Sequence, residues 1–317
     1  MQRILTSTLA VTALLFATPL AAEDYPSRNI TILVPAAAGG PSDTVARLLG
    51  EAMSKDLGQQ VMIENAGGAG GSLGAGQVAK ADPDGYTLLL YHIGVATFSS
   101  LYPDLPYDPS EFTSVGLVTE VPMTLVGRKD LPASDIGGLL TWLRGEGKGA
   151  SFGTAGVGAV SDLCGRLLVD TTGVELNVVP YKGTGPAMND LLGGQIDLMC
   201  DQTTNTANQI ASGSIKPFAV TTQKRIALLP ELPTLSESGA NVDISAWHAV
   251  WAPKGTPEPI RQKLSASLQK ALTDPALIER FAALGTEPVA AKLATPEAMD
   301  MHFQAEIERW SGLLKTD

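Results

Sequence analysis

Two stretches of this chain place glycine, serine and aspartate where a strand gives way to a helix. In the first, Asn29-Ile30-Thr31-Ile32-Leu33-Val34-Pro35 runs into Ala36-Ala37-Ala38-Gly39-Gly40-Pro41-Ser42-Asp43, and a helical pattern follows from Thr44. In the second, Ala150-Ser151-Phe152 runs into Gly153-Thr154-Ala155-Gly156-Val157-Gly158, with a helix from Ala159 through Leu168. A helix start leaves backbone N–H groups without intrahelical partners, and the helix dipole adds partial positive charge there. Such an end holds anions. Two of them suggest a clamp closing on one small anion from two sides. The candidate ligand contacts are Ala38, Gly39, Gly40, Ser42 and Asp43 in the first loop, and Thr154, Gly156, Gly158, Ser161 and Asp162 in the second. Ser42, Thr154 and Ser161 are expected to add hydroxyl donors.

Further candidates stand at other strand ends. His92 follows the strand Leu88–Tyr91, Tyr181 precedes Lys182-Gly183, and Asp201 and Thr203 follow Cys200, with Thr204 and Asn205 beside them. Asp201, Thr203 and their neighbours also suit the capping of the next helix. Trp247 and His248 read as hinge or cleft-wall residues. Asp43 is awkward beside an anion; it either orients the loop N–H groups or pairs with a ligand ammonium. The dense run Gly67–Gly76 matches neither Gly-x-Gly-x-x-Gly nor a P-loop, and reads as turns and carboxylate loops. With three histidines, no Gly-x-Ser-x-Gly elbow and no His-Glu-x-x-His, no catalytic set, metal or cofactor is expected. A hydrolase built from Ser161 and His92 is the enzyme alternative.

The elements that must position these residues alternate along the chain. Strand candidates are Ile30–Val34, Val61–Ile63, Tyr86–Tyr91, Val121–Gly127, Ser151–Phe152, Leu176–Val179, Ile196–Met199 and Phe218–Thr221. Amphipathic runs such as Thr44–Leu57 lie between them. Alternation of this kind predicts an α/β protein of two domains, each a mostly parallel sheet flanked by helices, with ligands bound beyond the carboxyl ends of the strands. A fresh strand series begins after residue 122, and Val242–Trp251 reads as extended and aromatic. Helices at Pro257–Leu272, Pro275–Leu284 and Pro296–Leu314 follow, each with proline near its start. The expected division is residues 23–122 plus 245–317 as the first domain and 123–244 as the second, joined by a two-segment hinge.

Residues 1–22 read as a cleavable signal peptide: Arg3, an apolar run from Ile4 to Phe16, and small residues around a cut near Ala22. This places the mature chain in the periplasm. The formal charge of −11 becomes −12 once Arg3 is removed, and the sequence has no basic cluster, which argues against nucleic acid and anionic membrane surfaces. A held anion must then be met by local dipoles. In an oxidising compartment the only two cysteines, Cys164 and Cys200, are expected to pair.

One ordered set of motifs resembles a known family. It comprises Tyr25-Pro26-Ser27-Arg28, Val34-Pro35 with Gly39-Gly40-Pro41-Ser42-Asp43, Glu64-Asn65 with Gly67-Gly68-Ala69-Gly70-Gly71, and Pro83-Asp84-Gly85-Tyr86. Pro180-Tyr181-Lys182-Gly183-Thr184-Gly185-Pro186, Asp190-Leu191-Leu192-Gly193-Gly194-Gln195-Ile196-Asp197, Leu229-Pro230-Glu231-Leu232-Pro233-Thr234 and Ala252-Pro253-Lys254-Gly255-Thr256-Pro257 continue it. Together these motifs resemble the Bug family of periplasmic solute-binding proteins, receptors of tripartite tricarboxylate transporters. The resemblance implies a two-domain binding protein of the type II-like periplasmic class, acting as a monomer. It implies that the glycine loops grip a ligand carboxylate across a cleft and that the receptor docks on membrane permease subunits. Ligands across the family include di- and tricarboxylates, aromatic acids and acidic amino acids. At Asp162 relatives often carry histidine, which tilts the expectation toward fewer ligand charges or a neutral or cationic far end. A carboxylate-sensing interaction protein is the non-transport alternative.

Overall fold

The computed structural model describes residues 25–314; the expected signal peptide lies outside them. The chain opens with β1 (Ile30–Val34), α1 (Pro41–Leu57), β2 (Val61–Asn65), α2 (Ser72–Ala79), β3 (Thr87–His92) and the short α3 (Phe98–Leu101). The long β4 (Thr113–Arg128) leads to α4 (Ile136–Arg144), β5 (Ala150–Thr154), α5 (Val160–Thr172), β6 (Leu176–Pro180) and α6 (Thr184–Leu192). Then come β7 (Leu198–Gln202), α7 (Thr203–Ala211), β8 (Ile215–Val220), β9 (Ser245–Ala252), α8 (Glu258–Ala271), α9 (Pro275–Ala283) and α10 (Pro296–Leu313).

The strands form one curled sheet in the order β2-β1-β3-β9-β4-β7-β5-β6, with β8 also on β4. β4 belongs to both halves. From Thr113 to Pro122 it pairs with β9. From Met123 onward it pairs with β7 and, from Thr124, with β8. The outer pairs, β1 with β2 and β3, and β5 with β6 and β7, are parallel, as βαβ crossovers require. The pairs made by β4 and β9 at the centre are all antiparallel. Each half thus keeps the expected parallel pairs on its outer side and adds antiparallel pairs where it meets β4 and β9. The cause is that β4 and β9 carry the chain between halves and return against their neighbours.

Three apolar clusters hold this frame. Val45, Leu49 and Met53 of α1 pack with Leu264 and Leu268 of α8, Phe281 of α9 and the buried face of β1. Ala187, Met188 and Leu191 of α6 pack on Val126 and Met199 in the second half. The largest cluster runs through both halves, and α10 connects it. Phe303 meets Trp247 and Trp251 of β9, while Trp310 shares a cavity with Phe152 and Leu163. The Trp247 and Trp310 indoles both donate to Glu306 Oε2, at 3.1 Å each. The expectation that the late helices cover the first half fits α8 and α9; α10 reaches across to the second. A disulfide joins Cys164 on α5 to Cys200 on β7.

Candidate functional site

The starts of α1 and α5 are built alike. Each follows a parallel strand, and each carries aspartate at its third helical position. Asp43 Oδ2 accepts from the Gly39 N–H at 2.9 Å and from Arg47 Nε at 2.9 Å. Asp162 Oδ2 accepts from the Gly158 N–H at 3.0 Å and from Arg166 Nε at 2.9 Å. A carboxylate at this position reaches back over the helix start and fixes the loop before it, as in a capping box. Burial alone would raise the pKa of Asp43, but the Arg47 guanidinium and the Gly39 N–H outweigh it and hold that carboxyl below its ordinary value. Each aspartate is thus paired with the arginine one turn further along its own helix. The pattern Gly-x-x-x-Asp-x-x-x-Arg, with serine before the aspartate, occurs in both loops at the same spacing. Sequence reasoning missed the two arginines, although carboxylate and guanidinium four residues apart on a helix are a recognisable signal.

Most loop N–H groups are spent inside the loops. The Ala155 N–H donates to Ser161 Oγ at 2.8 Å, the Gly156 N–H to Thr154 Oγ1 at 3.2 Å, and the Ala159 N–H to the Gly156 carbonyl at 3.1 Å. In the first loop the Thr44 N–H donates to the Gly40 carbonyl at 3.0 Å, and Pro41 has no N–H. The helix-start donors that remain are the N–H groups of Ser42 and Asp43 in α1 and of Val160 and Ser161 in α5.

The histidines beside these loops are neutral. His92 and His248 face each other across the β3–β9 pair, their rings 5.8 Å apart edge to face. Burial lowers the pKa of His92, helped by His248, and burial brings His248 down to about 4. His92 Nδ1 accepts from the Gly94 N–H at 3.0 Å, so its proton sits on Nε2. His248 Nδ1 lies 3.2 Å from the Ala246 carbonyl, which can only accept, so this ring carries its proton on Nδ1. Its Nε2 then accepts the Ser42 hydroxyl at 3.0 Å. Ser42, expected as a donor toward a ligand, directs its proton at His248 instead.

The two loops meet the opposite halves of the molecule. The Ala37 N–H donates to the Lys182 carbonyl at 2.8 Å, and Tyr102 donates to the Val157 carbonyl at 2.8 Å. Thr97 Oγ1 donates to the Gly158 carbonyl at 3.1 Å, and Thr203 Oγ1 to the Gly285 carbonyl at 3.3 Å. Gly70, at φ +60°, lies so close to the second loop that a Cβ there would run into the Val157 carbonyl oxygen. Gly70 is thus a side-chain-free seat for the opposing loop. A groove of about 760 Å³ lies over this seam, lined by Leu73, Tyr102, Val157, Pro180, Tyr181 and Lys182.

Of the other expected contacts, Ala38 and Gly40 lie near the start of α6, where a Cβ added at Gly185 would meet the Gly40 nitrogen and the Ala38 carbonyl oxygen. The Tyr181 phenol is turned to Asp190 at 2.7 Å, and burial with that carboxylate pushes its pKa up to about 12. Asp201 is buried behind the starts of α6 and α7, accepting from Thr184 Oγ1 at 2.9 Å and Asn205 Nδ2 at 2.6 Å. Burial raises its pKa to about 6. Thr154 and Thr203 hold the loop and the seam as described above. Among the described residues no group of His, Cys, Asp or Glu has metal-binding geometry.

Comparison with known proteins places this architecture. The family model for the tripartite tricarboxylate transporter family receptor matches residues 45–316. A protein from the TAR-I ttuE–ttuC′ intergenic region of Agrobacterium vitis is 62% identical over 93% of this chain and 86% of its own length. BugT of Bordetella pertussis is 35% identical over 98% and 97%. The structure of the periplasmic binding protein BugD superimposes with a TM-score of 0.89 at 49% identity, covering 92% of this chain and 98% of that one. MatC of Rhodopseudomonas palustris, solved with malate, gives 0.88 at 38% identity over 92% and 100%. A second Rhodopseudomonas palustris protein, solved with adipate, gives 0.87 at 34% identity over 92% and 98%. The chain belongs to the tripartite tricarboxylate transporter receptor family, among the Bug-type solute-binding proteins.

Proposed function

We propose that this chain is a periplasmic receptor that binds one small organic carboxylate between the α1 and α5 helix starts and delivers it to a membrane permease. The observation that carries this reading is the matched pair of loops, each ordered by its own aspartate–arginine pair and each seated against the opposite half of the molecule. Charge inside the cleft supports it. Both neighbouring histidines are neutral and both arginines are committed to aspartates, so a carboxylate would be held by backbone dipoles, as the acidic composition demanded. The malate and adipate in two structural relatives point to the same ligand class.

In this reading residues 23–122 with 245–317 form one domain and residues 123–244 the other. The chain crosses between them at Pro122–Met123 and near Ser245, and these crossings are the hinge. The receptor acts as a monomer, after removal of residues 1–22, and captures its ligand without turnover. A thermal-shift screen of di- and tricarboxylates, aromatic acids and acidic amino acids tests this, because a ligand bound only by the folded state raises Tm. A saturable rise with one class, with the acid recovered unchanged, is expected. No rise with any carboxylate, or consumption of the acid, would overturn it.

A further inference from the structure

The two equivalent serines have opposite hydrogen-bond roles. Ser161 Oγ is occupied as an acceptor by the Ala155 N–H, and its own proton has no acceptor among the described residues. Ser42 is the reverse. The Ala246 carbonyl fixes the proton of His248 on Nδ1, so His248 Nε2 takes the Ser42 proton. What Ser42 has left to offer is a lone pair. Ser42 and Ser161 are 3% and 0% exposed, so bulk water does not satisfy what either hydroxyl has left.

A carboxylate oxygen suits Ser161 and is repelled by a lone pair at Ser42. A hydroxyl or ammonium group is the complement of that lone pair. Resting on the carboxylate-receptor reading, we infer that the ligand carries a hydrogen-bond donor on the carbon next to its gripped carboxylate. The site selects hydroxy- or amino-substituted short dicarboxylates over the unsubstituted acids, and Ser42, oriented by His248, is the selecting residue. A buried acceptor facing a methylene loses its water and gains no partner, whereas one facing O–H or N–H is satisfied.

Calorimetry with matched acids tests this at pH 7.5: succinate, malate and aspartate, with glutarate, 2-hydroxyglutarate and glutamate as the longer set. The wild-type chain should bind the hydroxy or the amino member of a set about 10- to 100-fold more tightly than the unsubstituted one. Malate against aspartate distinguishes hydroxyl from ammonium. Ser42→Ala should reduce that preference to about threefold or less, with circular dichroism and thermal melting showing that the variant is folded. Ser42→Thr should restore it, and Ser161→Ala should weaken all members of a set alike. Equal affinity for all members of the set that binds, a preference for the unsubstituted acid, or a Ser42→Ala variant that weakens every member equally would overturn the inference. If no carboxylate in the wider screen binds, the receptor reading itself falls, an outcome distinct from the loss of selectivity.

Discussion

The α1 start at Gly39–Arg47 and the α5 start at Gly158–Arg166 begin from the same pattern and reach the same aspartate–arginine geometry. Their surroundings then separate them. In α1 the serine lies against β9, where a backbone carbonyl sets a histidine tautomer and the histidine takes the hydroxyl proton. In α5 the serine lies under its own loop, where a backbone N–H fills its lone pair. The α5 start is also anchored covalently, through Cys164 to Cys200, and the α1 start is not. A repeated local motif thus fixes where donors stand, and its non-repeated neighbours decide what they can bind.

The largest effect should come from the feature that only one of the two starts has. Replacing Cys164 and Cys200 by alanine should cost about 2–4 kcal/mol of unfolding free energy, because the bond closes a chain separation of 36 residues. Denaturant unfolding checks this, and a loss below the cost of a single buried methylene would show that packing alone holds α5. Next, Gly70→Ala should weaken ligand binding by about 1–3 kcal/mol and suppress compaction in small-angle scattering, since its Cβ would meet the Val157 carbonyl across the seam. Unaltered compaction would mean that the seat yields.

Asp43→Ala and Asp162→Ala should each destabilise the fold by about 1–2 kcal/mol, and by nearly equal amounts, because each leaves a glycine N–H and an arginine without its shared acceptor. A strong inequality in thermal melting would break the equivalence of the two starts. Asp201 adds a dependence on pH. Its folded pKa of about 6 exceeds the ordinary 3.8, so the folded state holds its proton more tightly and stability falls as pH rises from about 4 to about 6. Asp201→Asn should flatten that decline in apo-protein melting curves; an unchanged slope would assign it to other groups.

Much of this organisation is legible in the sequence. Ile30–Val34 is read directly, as an apolar run that ends in glycines, whereas the helix expected from Thr44 begins three residues earlier, at Pro41. The second crossing is visible in Val242–Trp251, where extended and aromatic residues follow the last βα unit. β4 is harder. It begins at Thr113, well before the apolar stretch from Val121, because Thr113–Pro122 owes its strand state to pairing with β9. The antiparallel centre is hidden for the same reason: strand direction depends on which neighbour the chain returns to. The role of Gly70 is also illegible locally, since a missing Cβ matters only against a loop from the other half. The opposed serine roles depend on one carbonyl, that of Ala246, more than two hundred residues from Ser42 in sequence.

In the proposed receptor the α1 and α5 helix starts grip the same ligand. Nitrogen-15 labelling of serine reports on both, with the Ser42 and Ser161 amide signals identified by their loss in Ser42→Ala and Ser161→Ala. Titration with the tightest carboxylate from the thermal screen should move both amides together and saturate both at one equivalent. Movement of one amide alone, or two different saturation points, would contradict a single ligand held between them.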